Sequence, residues 1–203
     1  MQLALQPVDQ RSDEILQSIR SMFAEKGFDG ASMLDLARAA GMSVGNFYRY
    51  FPSKAAIVEA MVMRDLAEVS EAFAHVMRAS DPMSALKQKL AEHIDSELCG
   101  KDGPLWAEMS AAALRKPEIG QAMEKMEIEV KRCFLEVFAK VIPLPEAEIE
   151  TRFSAHVALL MMILKASSMV CQPALRAEPG FRSLILRTVD GVLSEISVLA
   201  VKG

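Results

Sequence analysis

Cysteine is sparse in this 203-residue sequence: Cys99, Cys133 and Cys171 are odd in number and form no Cys-x-x-Cys pair. Neither a disulfide framework nor a zinc site is suggested, and a reducing cytoplasmic setting fits best. The three histidines, His75, His93 and His156, have no histidine or cysteine four residues away, so no metal site is expected from them. No Ser/His/Asp or Cys/His arrangement emerges from the spacing, and no enzyme and no cofactor are expected. Long hydrophobic runs are also missing. The most apolar stretch, Ala155 to Leu164, lies between Arg152 and Lys165 and contains His156, well short of the roughly 20 residues that cross a membrane. The N-terminus has no basic stretch followed by an apolar run and a cleavage site, so no signal peptide is expected. A positive charge excess is lacking as well: the formal net charge of −4 argues, on its face, against a nucleic-acid partner.

Aromatic residues make up only 6%, whereas apolar types reach 51% and methionine occurs 14 times, a mixture of strong helix formers and soft gap-fillers. No stretch of strict apolar alternation is long enough for a sheet. An all-α fold of about nine helices is predicted, punctuated by proline and glycine. The first runs from Gln10 to Lys26, with Ile15, Ile19, Met22 and Phe23 on one stripe and Gly27 at the C-cap position. Two short helices follow, then a long fourth from Ser53 that Pro82 must end. A fifth spans Pro82 to Leu98 with Asp81 as N-cap and Gly100 as terminator, and a short sixth runs from Pro104 to Arg115. The seventh begins at Pro117, the eighth spans Pro145 to about Gln172, and the ninth runs from Gly180 to about Val201. The eighth is apolar nearly all round, so it must be covered on several sides.

The most informative stretch is Ser32 to Lys54, which reads as helix, tight turn, helix, stop. Ser32 with Asp35 resembles a capping box, and Leu36, Ala37 and Ala40 give the short helix an inner face. Gly41 provides the left-handed residue for a sharp turn, while the small methyl of Ala37 admits a second helix at close range. Ser43 caps that second helix, and Phe47, Tyr50 and Phe51 are expected to anchor it. Val44, Gly45, Asn46, Tyr48 and Arg49 then face outward. Asn46 suits adenine, Arg49 a guanine or a phosphate, Val44 a thymine methyl and Tyr48 a phosphate, while Gly45 allows close approach. Lys54 opposes the dipole of the fourth helix, which suggests a compensating role such as a phosphate contact. Ser32 and Ser43 complete the candidate DNA-contacting set.

The charge objection dissolves locally. From Leu36 to Val58 there are three cations, Arg38, Arg49 and Lys54, and no acid, so the overall negative charge is carried elsewhere.

With Gly41, the block Phe47-Tyr48-Arg49-Tyr50-Phe51 and Ser53-Lys54, the run from Gln10 to Arg64 resembles the DNA-binding domain of the tetracycline-repressor (TetR) family. The resemblance implies an N-terminal helix-turn-helix domain in residues 1–54, with the fourth helix connecting it to an effector-binding and dimerisation domain in residues 55–203. It implies a double-stranded DNA operator, a small and largely apolar effector, no membrane partner, and a homodimer formed through the eighth and ninth helices. Within the methionine-rich core, Met109, Met126 and Met162, with His93, Trp106 and Phe134, are candidate effector contacts. The alternative is a helical carrier or sensor whose helix-turn-helix binds protein instead of DNA.

Overall fold

The computed structural model describes residues 10–98, 102–169 and 173–201. Cys99, Cys171, Gly100 and the expected end of the eighth helix at Gln172 lie outside them. Among the described residues there are ten helices and no strand: α1 (Gln10–Gly30), α2 (Met33–Ala39), α3 (Val44–Tyr50), α4 (Lys54–Arg78), α5 (Pro82–Leu98), α6 (Gly103–Ala113), α7 (Pro117–Val141), α8 (Glu146–Met169), α9 (Pro173–Arg176) and α10 (Phe181–Val201). The protein is all-α as expected. The short α9 is an addition, falling in a stretch too brief to show helical periodicity.

Contacts divide the chain into two compact units, residues 1–68 with 104–126, and residues 69–103 with 127–203. This differs from the expected division at residue 54, and burial gives the reason. Leu105, Met109, Ala112, Ile119 and Met123 share one core with Ile15, Ile19, Phe23, Leu36, Phe47, Phe51, Ile57 and Met61. Thus α6 and the start of α7 complete the apolar interior of the first unit, which three short helices alone would leave open. In the same unit Arg20 of α1 is paired with Asp65 of α4 at 3.0 Å, both largely buried.

Gly27 does not terminate α1 with a left-handed cap. Its φ of 72° and ψ of 166° kink the chain there, and helical bonding resumes to Gly30. Only glycine adopts that backbone at low cost.

In the second unit α8 packs on α5 and α10, and α10 also packs on α5. Phe73, Phe134, Phe138 and Phe153 form a chain of ring contacts, the closest being Phe73 and Phe134 at 5.0 Å between centroids. Leu86, Ile94, Val157, Leu193 and Ile196 complete this core. Arg182 is held by both carboxylate oxygens of Asp95, and Lys87 by Asp190. Cys133 is buried, and that burial pushes its thiol above the usual range, away from reactive thiolate. Asp81 caps α5 as expected, its carboxylate accepting the Ser84 amide at 3.0 Å.

Candidate nucleic-acid interface

The interface is built on α2 and α3. At the start of α2, the Ser32 hydroxyl accepts the Asp35 amide at 3.1 Å, and Asp35 accepts the Ser32 amide at 2.9 Å. The capping box is therefore present. The Ser32 hydroxyl also donates to Asp35 at 2.6 Å, so the hydroxyl and amide protons of Ser32 that a phosphate would want are both directed at Asp35. The Ser32 hydroxyl, its amide and Lys26, in that order, hold the Asp35 carboxyl far below the usual carboxylate range.

Two hydrogen bonds close the far end of α2: Met42 N–H donates to Ala37 C=O at 2.9 Å and Gly41 N–H donates to Arg38 C=O at 3.0 Å. With Gly41 at φ 65°, this is the paired bonding of a Schellman cap, which turns the chain sharply toward α3. Ser43 then caps α3 by accepting the Asn46 amide at 3.4 Å.

Phe47 and Phe51, one turn apart, are buried at 0% and 4% exposure with ring centroids 5.5 Å apart, and they fasten α3 to the core. Tyr50, expected to be a third anchor, is 44% exposed. It lies in the last turn of a seven-residue helix, where the inner face has been filled by Phe47 and Phe51, and its ring meets Phe51 in a tilted contact at 6.4 Å between centroids. The outward face consists of Val44, Gly45, Asn46, Tyr48 and Arg49, all exposed as expected. A Cβ built on Gly45 would meet nothing within 4 Å, so nothing within the fold demands glycine there.

Lys54 is oriented differently from the expectation. Its ammonium donates to the carbonyls of Phe28 at 2.7 Å and Asp29 at 3.2 Å and lies 5.3 Å from the Phe28 ring centroid. The interaction that offsets the dipole of α4 is thus with the carbonyl end of α1, within the domain.

The six candidate effector contacts divide between the two units, three in each. In the first, Met109 is buried in the core and Trp106 and Met126 pack against it. In the second, Phe134 is fully buried, Met162 is 60% exposed and His93 is exposed. A cleft of about 300 Å³ in the second unit is lined instead by Ala72, His75, Val76, Ala85, Gln88, Lys89 and Glu92. The signal for it was the polar face of α5, where Ala85, Gln88, Lys89 and Glu92 recur at helical spacing. Gln88 and Lys89 both donate to Glu92, and those bonds lower its carboxyl from the usual value. No cluster of metal-ligating residues occurs among the described residues, and no described helix is long and apolar enough to cross a membrane.

Residues 15–61 match the family model for bacterial regulatory proteins of the tetR family. Over those residues the chain is similar to the TetR-family helix-turn-helix domain. That match takes in the whole of α2, the Gly41 turn and α3, and stops within α4. UidR of Escherichia coli K12, an HTH-type transcriptional regulator, is 25% identical over 130 residues, or 64% of each chain. The matched stretch therefore spans less than two thirds of that relative. Among solved structures, Salmonella enterica GusR superimposes with a TM-score of 0.69 at 20% identity, covering 91% of this chain and 95% of that one. FadR from Bacillus subtilis, solved in complex with stearoyl-CoA, gives 0.66 at 11% identity, covering 91% and 96%. At these identities the structural matches show that the TetR-type fold extends beyond the helix-turn-helix into the helical remainder.

Proposed function

We propose that the protein is a DNA-binding transcription regulator, a repressor that binds a palindromic operator as a homodimer and is released by a small, largely apolar effector. The observation that carries the reading is α3. Two buried phenylalanines fix one face, and the opposite face presents Val44, Asn46, Tyr48 and Arg49 around a glycine with open space where its side chain would be. A recognition helix needs such a face, rigid on one side and able to approach base edges on the other.

The homodimer is supported by apolar side chains left exposed on α8 and α10: Leu159 and Met162 on one, Leu184, Val198 and Leu199 on the other. Ala155, Ala158, Ala166 and Gly191 are exposed beside them and leave room for close helix packing. A twofold axis would set two α3 helices into major grooves roughly 34 to 36 Å apart or a near multiple.

The helix α4 contributes residues to both compact units and is the element through which effector binding changes the reader. A coupling of about 1 to 3 kcal/mol lowers operator affinity about 5- to 150-fold, enough to relieve repression. The stearoyl-CoA bound by the FadR neighbour supports an apolar, acyl-type effector. The protein acts in the cytoplasm and without catalysis.

Retention on DNA across a salt series tests this reading. Steep loss of binding with rising salt is expected from phosphate contacts, and no retention even at low salt overturns it in favour of a protein-binding helical carrier.

A further inference from the structure

The kink at residues 27–29 is a junction. It lies directly before α2, and three separate parts of the first unit converge on it. From α6, a carboxylate oxygen of Glu108 accepts the Phe28 amide at 3.2 Å. A Cβ placed on Gly27 would lie 3.0 Å from that same oxygen. From the start of α4, Lys54 holds the Phe28 and Asp29 carbonyls. From the turn between α6 and α7, Lys116 pairs with Asp29 at 3.0 Å and Arg115 approaches it at 3.6 Å. Lys116 also lies 5.6 Å from the Phe28 ring centroid, on a ring stacked against Phe23.

An amide just past a kink has lost its partner in the preceding turn and would otherwise need water. Glu108 supplies that partner from a helix some 80 residues away in sequence. Two of the three parts that hold the junction therefore come from residues 104–126, the segment that joins the helix-turn-helix core from outside the N-terminal 68 residues.

We infer that Glu108 is a positioning residue for DNA reading: by gripping the Gly27-Phe28 kink, α6 sets the angle at which α2 and α3 leave α1. The inference rests on the regulator reading above. A Glu108 side chain that lets go removes the only one of these contacts that holds the Phe28 amide, and loosens the kink angle. Because α2 starts only four residues beyond Asp29, a small rotation there displaces the whole reader. The consequence is specific. Contacts that need register, such as Asn46 and Arg49 on base edges, are lost, while attraction to the phosphate backbone persists.

The test uses full-length protein, the DNA fragment returned by selection from a random pool, and a shuffled fragment of equal length and composition. Glu108→Ala is expected to lower affinity for the selected fragment at least tenfold while changing affinity for the shuffled one less than twofold. Glu108→Gln keeps an oxygen acceptor for the Phe28 amide and is expected to restore the difference. Wild-type affinity in Glu108→Ala overturns the inference. So does an equal loss on both fragments with no recovery in Glu108→Gln, which would mark an ordinary core contact. If wild-type protein selects no DNA, the regulator reading itself fails, and amide exchange still decides the latch. Faster exchange across residues 32–50 in Glu108→Ala, reversed in Glu108→Gln, supports it, and unchanged exchange contradicts it.

Discussion

Gly41 and Gly45 are both exposed glycines in the reader, yet physics assigns them opposite requirements. Gly41 sits at φ 65°, where a side chain strains the backbone. Gly41→Ala is expected to destabilise the protein by about 1 to 2 kcal/mol, read as a lower thermal midpoint. Gly45 has ordinary helical backbone and open space around it. Gly45→Ala should leave stability unchanged or raise it by up to about 1 kcal/mol while weakening DNA binding, because the added methyl occupies the groove-facing side. Equal DNA affinity in Gly45→Ala would show that this face does not approach a partner closely. Arg49→Ala should cost about 1 to 3 kcal/mol of specific binding, whereas Tyr48→Phe should weaken binding to all sequences alike. Lys54 teaches a different lesson. Its charge and position were visible in the sequence, but its partners are the carbonyls of Phe28 and Asp29, a long-range pairing that local reasoning about the dipole of α4 could not supply.

The helices themselves were the most legible feature, because their signals are local. The Ser32/Asp35 capping box, the Gly41 turn, the Ser43 cap and the Asp81-Pro82 start each involve residues no more than five apart. Asp35 makes the box titratable. Its folded carboxyl lies below the unfolded value of about 3.9. The stability it contributes is therefore fully present above about pH 5 and is lost as pH falls below about 4 and approaches the folded value. Thermal midpoints of wild type and Asp35→Asn should differ at pH 7 and draw together as the pH falls below about 4; a gap as wide at about pH 3 as at pH 7 would place the contribution elsewhere. Anchoring between helices was less legible. Tyr50 shares aromatic character with Phe47 and Phe51, but helical geometry over a short α3 gives the inner face room for only two of them. The pairing of Arg20 with Asp65 was also hidden, since it links α1 to α4. With both groups largely buried, Asp65→Ala takes a carboxylate away from a buried guanidinium and is expected to cost about 3 kcal/mol, measurable by denaturant unfolding.

At the scale of the whole molecule, sequence patterning located the reader but not the partition of the helices. The division at residue 54 followed the end of the motif, whereas the core recruits 104–126 through Leu105, Met109 and Ile119, and no periodicity reveals which helix fills which gap. For the same reason Met109, Met126 and Trp106 belong to the core of the first unit, and His93, Phe134 and Met162 fall in the second. The apolar all-round character of α8 leaves Leu159 and Met162 exposed within one chain, and the proposed dimer rests on them. Met162→Lys together with Leu184→Lys is expected to yield a monomer by light scattering at micromolar concentration and to abolish tight operator binding; an unchanged dimer would move the interface to another surface. Effector binding should raise the thermal midpoint, by an amount equivalent to about 2.7 kcal/mol at a hundredfold excess over Kd, with acyl-type ligands tried first.

The central claim, that α3 reads double-stranded DNA, is tested most directly by selecting bound fragments from a random DNA pool with purified full-length protein and sequencing them. The account predicts enrichment of an inverted repeat whose half-sites lie about one helical turn or a near multiple apart, with the enrichment lost in Arg49→Ala. Folded, dimeric protein that enriches no sequence at low salt would contradict it.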